Sequence, residues 1–358
     1  MAHQFEIGVM TLGEITPDQS TGHTPSAQQR MKETIEAAIL ADQVGLDVFG
    51  VGEHHRSDFF ISAPPLVLSA IATRTTQIRL TSAVTVLSSD DPIRVFQDFA
   101  TLDLISGGRA EIIAGRGSYI ESFPLFGYAL EDYAELFREK LDALLAIRAE
   151  NPARWTGGAF THDLSGLDVA PRPVGDLPIW VGVGGTPASA VHTGTLGLPL
   201  ALALLLGPVD SFVRTVALYR RAAVEAGHDV EQLRVSVNTG GYVGATSQQA
   251  RDIMYPAFRV GMMENNHQRG AGFAIPRAAL DAQATPDGGL LVGSPHEVID
   301  KMMAFHHTYG LDRVILQMGF GGVSQADHLA AIERLGTEVA PVVRREVARL
   351  VGHDQLGG

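Results

Sequence analysis

A (β/α)8 barrel, the TIM barrel, is the fold class that this sequence predicts, and three observations predict it. Eight short apolar runs rich in β-branched residues alternate strictly with helical patterns. Clusters of Gly, Pro, Asn and Asp punctuate the segments between them. The length, 358 residues, is common for such a barrel folded as one domain. A single domain over 1–358 is therefore expected, with insertions after strand four, before strand five and between strands seven and eight.

The elements follow in order. Phe5 to Leu12 reads as strand one, then a polar loop from Gly13 to Pro25, then a helix from an N-cap at Ser26 to Val44, stopped by Gly45. Asp47 to Val51 is strand two, too brief for a helix and ended by Gly52. Pro64-Pro65 opens a helix to Thr75, and Ile78 to Val86 is one continuous third strand. Pro92 starts a helix through Leu104, closed by Gly107-Gly108, and Arg109 to Ala114 is strand four. A Gly- and aromatic-rich loop, Gly115 to Glu131, precedes the helix from Asp132 to Ala149, where Leu136, Leu141, Leu144, Leu145 and Ile147 recur at helical spacing.

An insertion from Asn151 to Asp176 follows, with Gly157-Gly158 as a hairpin turn. Leu177 to Val183 is strand five, and Thr186-Pro187 begins a helix to Leu196 with Pro at its first helical position. Pro199 to Leu206 is strand six by its brevity, and a helix runs from Val209 to Ala226. Leu233 to Val243 is strand seven, followed by a helix from Ser247 to Met263. Glu264 to Leu291 breaks the pattern before the helix Pro295 to Tyr309. Arg313 to Met318 is strand eight, Gly319 to Gly322 a tight turn, and Ala326 to Leu350 a helix interrupted by Pro341. Residues 352–358 are expected to fray.

Composition narrows the function classes. A net charge of -13 argues against nucleic acid or an anionic membrane as partner. The chain has no cysteine, so disulfides, thiolate zinc sites, iron-sulfur clusters and cysteine nucleophiles are excluded. The longest apolar run, Leu198 to Leu206, is too short to span a bilayer, and Met1 to Met10 lacks the pattern of a signal peptide. Cytoplasmic is the expected location.

Chemistry concentrates just past strand two, where Glu53, His54 and His55 stand at the carboxyl end of a strand, the end at which barrels bind ligands. Adjacent residues of extended backbone face opposite sides, so at most one of the two imidazoles should face the pocket. A carboxylate beside imidazoles is a proton-transfer candidate, and an imidazole poised near neutral pH suits that role. Three segments compete as phosphate sites. Gly182 to Pro187 leads glycines into a helix N-terminus but has Pro187 where a dinucleotide fingerprint needs its third Gly. Arg116 stands between Gly115 and Gly117, free to reach an anion, and Gly319 to Gly322 occupies a position where many barrels bind phosphate. A metal-dependent barrel hydrolase is disfavoured, since Phe5 to Leu12 lacks the paired histidines it would normally present.

Taken together, these residues resemble the bacterial luciferase-like, flavin-dependent oxidoreductase family over essentially the whole chain. The resemblance is carried by Glu53-His54-His55, by Ser82 to Val86 leading to Asp91-Pro92-Ile93-Arg94, and by Ser106 to Arg109 into Gly115-Arg116-Gly117. Val181 to Thr186 and Gly293-Ser294-Pro295 add to it. The resemblance implies a monooxygenase that binds FMN reduced by a separate reductase and uses it with O2 to oxygenate a small organic substrate. It implies His54 as the proton-transfer residue with Glu53 beside it. It places the flavin phosphate on Arg116, Gly184, Gly185 and Thr186, with Ser189 a further candidate, and leaves Gly319 to Gly322 as a packing turn.

The same resemblance places the flavin ring on Ala83 and Val84, where relatives often have a non-proline cis peptide, and against Met10. It implies a lid over 264–291 and a homodimer through the helices after strands two and three. Pocket walls are expected from Gly13 to Pro25, Ser118 to Glu131 and Glu264 to Leu291. Two alternatives stand beside this reading: a dehydrogenase that moves hydride with the deazaflavin coenzyme F420, and a flavin-binding protein without turnover. The intact Glu53-His54-His55 motif speaks against the second.

Overall fold

The computed structural model describes residues 4–18, 21–117, 119–268 and 275–354. Eight parallel strands close into a barrel: β1 (Glu6–Thr11), β2 (Val48–Val51), β3 (Arg79–Ser82), β4 (Ala110–Gly115), β5 (Ile179–Val183), β6 (Leu200–Leu204), β7 (Val235–Val243) and β8 (Arg313–Gln317). Each pairs with its sequence neighbours, and β8 returns to β1 with Glu6 opposite Arg313 and Met10 opposite Gln317. Helices cover the outside, because every crossover between parallel neighbours must pack back on the sheet. Among the described residues no helix is long and apolar enough to cross a membrane.

Local chemistry sets the helix limits. The Ser26 side chain accepts from Gln29 N–H to start the helix Ala27–Gln43, and Asp91 does the same for Ile93 and Arg94 ahead of Pro92–Ser106. That second helix ends at Gly107 with φ 70°, a conformation glycine adopts without a Cβ penalty. Ser294 and Glu297 form a reciprocal capping box on Pro295–Tyr309.

Alternate residues of each strand point into the barrel, and three layers result. At the base, fully buried Arg313 pairs with Glu111 and with Glu6 at 2.6 Å, and its guanidinium lies 4.3 Å from the Trp180 ring centre. Arg234 also meets Glu6, at 2.6 Å. Above that plug sits an apolar layer that includes Val48, Ile113 and Ile315. Toward the carboxyl ends the inward positions turn small: Gly50 and Gly52, Gly115, Gly182 and Gly184, then Ala201 and Ala203. This gradient from bulky to small leaves the barrel closed below and hollow above.

The structure departs from the expected elements at several points. The third strand is not continuous: it stops at Ser82, the Ala83-Val84 peptide is cis, and Thr85–Val86 pairs separately with β4. The segment from 264 to 291 is partly helical. The helix from Ser247 runs on to Gln268, and a second helix, Arg277–Ala284, lies within it; residues 269–274 of that segment lie outside the described residues. The C-terminal helix is interrupted by a π-turn, Leu335–Val339, just ahead of Pro341, whose missing N–H breaks the regular ladder. Its last stretch, Ala340–Asp354, takes in the first three residues of the 352–358 tail; 355–358 lie outside the described residues. The insertion before β5 does form a hairpin, with Ala153–Trp155 antiparallel to Leu164–Leu167, but its loop bends at Ala159 to Thr161, just past the expected Gly157-Gly158 turn.

Candidate active site

The hollow end of the barrel holds a cavity of about 520 Å³. Its shape follows from the small inward residues. The Val84 side chain lies where a Cβ on Gly115 or Gly182 would come to 2.6 or 3.1 Å of it, so the segment beyond the cis peptide seats against β4 and β5 only because both present glycine. Ala83 sits likewise over Gly50, 3.1 Å from where its Cβ would be. Met10, Leu12, Ala83, Val84, Ala201 and Ala203 make much of the lining apolar.

One end of the cavity suits an anion. Arg116 follows β4 and lines the wall; its Nη2 donates to Ser189 Oγ at 3.1 Å and its guanidinium lies 4.9 Å from the Tyr133 ring centre. Tyr133 in turn donates its hydroxyl to Gly117 O at 3.0 Å, which fixes the loop that carries Arg116. Beside it, Gly184 faces open space and Thr186 caps the helix Pro187–Thr195 through its backbone, its hydroxyl making no capping bond. The free N–H groups and dipole of that helix end add to the guanidinium charge.

The other chemistry stands past β2. Glu53 is buried; its Oε2 accepts Val86 N–H at 2.9 Å and its Oε1 meets His55 Nε2 at 3.0 Å. His54 lines the cavity, stacked on Phe59 at 4.1 Å and edge-on to Tyr119 at 5.1 Å. His55 turns away to Glu53 and packs edge-on against Phe126 at 5.0 Å. One imidazole of the two thus faces the pocket, as backbone alternation requires.

Electrostatics divides the pair. Burial, aided by Arg56 and His55, pushes the His54 pKa down to about 3, so this imidazole is neutral at pH 7. The expectation of an imidazole poised near neutral pH is thereby corrected: His54 can accept a proton or share a hydrogen bond, but it is not a standing acid. The hydrogen bond to Glu53 raises the His55 pKa against the effect of its burial. Asp90 is raised to about 6 by burial, with Glu53, Asp98 and Asp91 adding like-charge repulsion.

The structure brings Met10, Glu53, His54, Ala83, Val84, Arg116, Gly184 and Thr186 to one cavity. Gly185 and Ser189 lie just behind its wall: Gly185 makes the turn at φ 105°, and Ser189 reaches the site through Arg116. Of the three loop segments expected to wall the pocket, Ser118 to Glu131 borders it: Tyr119, Ile120 and Leu130 line a smaller adjoining cavity that shares Gly117 and Tyr133 with this one. Further lining comes from Leu205, Leu206 and Phe212 after β6, and from Asn238, Thr239 and Gln317 on β7 and β8. Inward parity along β8, counted on from Arg313 and Ile315, was a signal that could have found Gln317. Gly319 is a packing residue, with Thr11 filling the place of its absent Cβ.

A family model described as luciferase-like monooxygenase matches residues 5–312. The chain belongs to the luciferase-like monooxygenase family. The 4-hydroxyprotoasukamycin monooxygenase of Streptomyces nodosus subsp. asukaensis is 28% identical over 300 residues, covering 79% of each chain. The crystal structure of monooxygenase RslO1 from Streptomyces bottropensis is similar with a TM-score of 0.80 at 24% identity, over 94% of this chain and 99% of that one. The oxygenating constituent of 3,6-diketocamphane monooxygenase from Pseudomonas putida, solved with FMN, gives 0.74 at 22%, over 94% and 98%. An F420-dependent secondary alcohol dehydrogenase, solved with an F420-acetone adduct, also gives 0.74, at 17%, over 95% and 99%. At these identities the solved structures share the fold; the family match makes the chain a flavin-type oxidoreductase of the luciferase-like group, with monooxygenase as its main reading.

Proposed function

We propose that the cavity binds reduced FMN and that the protein uses it with O2 to oxygenate a small organic substrate. The observation that carries this is the polarity of one cavity: a guanidinium and a helix N-terminus at one end, an apolar floor at Ala83-Val84, and a neutral imidazole on the wall. The residues fit the group. Arg116, Thr186 and the N–H groups beyond Gly184 would hold the phosphate, with Ser189 orienting Arg116. Met10, Ala83 and Val84 would support the ring.

When bound, the reduced flavin supplies the redox chemistry with oxygen. The chain's own contribution is to position it, keep water off the apolar floor and manage a proton at His54. Neutral His54 can accept a hydrogen bond or, in passing, a proton from the reacting partners, held in place by stacking on Phe59 and by the edge-on Tyr119 ring. Glu53 and His55 hold the loop in shape from behind.

A homodimer and a separate flavin reductase belong to the same reading, as does a cytoplasmic location. The helices Pro64–Ala72 and Pro92–Ser106 carry Leu66 at 74% exposure, with Leu104 and Ile105 about half exposed, an apolar face suited to a second copy. The test of function is a titration with FMN, reduced FMN and F420, followed by absorbance and fluorescence. Preferential binding of reduced FMN with oxygen-dependent turnover supports the proposal. Binding of F420 alone would replace it with hydride transfer, since an F420-dependent dehydrogenase shares the fold.

A further inference from the structure

Gln317 ends β8 on its inward side and lines the cavity. Its Nε2 donates to Glu14 Oε1 at 3.1 Å. Glu14 lies on the loop after β1, bridged to Phe59, the residue on which His54 stacks. The other carboxylate oxygen, Oε2, is buried with no hydrogen-bond partner. A bare buried carboxylate oxygen is unfavourable when charged, and a proton on the group relieves it.

The charged groups around Glu14 leave that choice close. Arg30 of the helix Ala27–Gln43 faces it but is shared with Glu33 at 2.9 Å and stands near buried, neutral His328. Asp58, from the loop after β2, repels it while itself paired with Arg56. Burial dominates and pushes the Glu14 pKa up to about 7.

An amide has an acceptor end and a donor end, and Glu14 decides which is spent. Ionised, the carboxylate only accepts, so it holds Gln317 Nε2 and leaves Oε1, an acceptor, for the cavity. Protonated, it can donate to Oε1 and free the NH2 group for the cavity.

We propose that Glu14 and Gln317 form a substrate-orienting pair, in which the proton on Glu14 sets whether Gln317 offers the cavity an acceptor or a donor. The ionised pair then favours a substrate hydroxyl and the protonated pair a carbonyl. Glu14 is a positioning residue that acts through Gln317. The assignment rests on the reading of this cavity as the flavin and substrate site.

The test uses the full chain, labelled with 15N in its glutamine side chains, with FMN present; loss of a signal in Gln317→Leu identifies the amide. Its resonance moves between about pH 6 and about pH 8 and stops moving in Glu14→Gln, an isosteric change. In the same samples the affinity ratio of cyclohexanone to cyclohexanol falls about tenfold over that range in the unaltered protein and stays constant in Glu14→Gln. A Gln317 resonance that ignores pH, a shift that persists in Glu14→Gln, or a constant ratio in the unaltered protein overturns the proposal. FMN affinity is read alongside: failure to bind FMN while Gln317 still titrates would remove the flavin reading and leave the Glu14–Gln317 coupling standing.

Discussion

The Glu53 carboxylate joins two loops, taking Val86 N–H on one oxygen at 2.9 Å and His55 Nε2 on the other at 3.0 Å. The loop after β2 and the segment beyond the cis peptide are therefore held by one buried side chain. Glu53→Ala strands the Val86 donor and is expected to lower stability by about 2–3 kcal/mol, read by chemical denaturation, whereas Glu53→Gln costs less because an amide oxygen still accepts Val86 N–H. The His55 pKa is raised in the fold, so its bond to Glu53 contributes fully below the unfolded value of about 6.5 and fades as pH rises through the folded one. The stability gap between the unaltered protein and Glu53→Gln narrows over that alkaline window.

His54→Ala retains reduced-FMN affinity and loses turnover by about 10²–10⁴-fold, the usual scale of a positioned acid or base. With its pKa near 3, His54 gives no ionisation to the turnover profile between about pH 5 and 8. Its effect on stability has the opposite sign to that of His55: the contribution is present above the unfolded value of about 6.5 and is lost as pH falls toward 3. Acid unfolding of His54→Asn thus occurs at lower pH than in the unaltered chain. An unchanged acid midpoint would contradict the burial of a neutral ring.

Arg116→Ala weakens reduced FMN by about 10–100-fold, the worth of a charge-assisted contact, and leaves riboflavin, which lacks the phosphate, nearly unaffected. Ser189→Ala has a smaller effect in the same direction, since Ser189 only orients the guanidinium. Equal losses for FMN and riboflavin would move the phosphate elsewhere.

Gly115→Ala drives a methyl group to 2.6 Å of the Val84 side chain and is expected to cost about 1–3 kcal/mol. The partner change Val84→Ala removes the Cγ contacts but leaves the Val84 Cβ at 2.9 Å, so the double variant recovers only part of that stability. A double-mutant cycle by denaturant titration measures the coupling, and strictly additive effects would refute the contact.

Leu66→Glu places a charge on the apolar helix face and is expected to shift a dimer to monomer, measured by sedimentation. A monomer already present in the unaltered protein would dispose of that face as an interface.

Much of the fold was legible in the sequence because its signals are local. Ser26, Asp91 and Gly107 declare helix ends through bonds to their immediate neighbours. The eight apolar runs announce strands, and their alternation with eight helical patterns points to a parallel sheet closed as a barrel. Glu53, His54 and Arg116 were found because each follows a strand. What stayed hidden depends on contacts distant in sequence. The break at Ser82 reflects Val84 seating on Gly115 and Gly182, and the neutral state of His54 reflects Phe59 and Tyr119 covering it. Glu14 and Gln317 meet across 303 residues, which no periodicity can disclose. The helix Arg277–Ala284 was missed because Gly and Pro nearby masked its short repeat.

The plug of Arg313, Glu111, Glu6 and Trp180 makes the barrel a blind vessel. Among the described residues the cavity lies at the opposite end, so an occupant would enter from the side of the strands' carboxyl ends. On the proposed function, cofactor and substrate would share that one vessel, and what is seated deeper would block or be blocked by what lies above it.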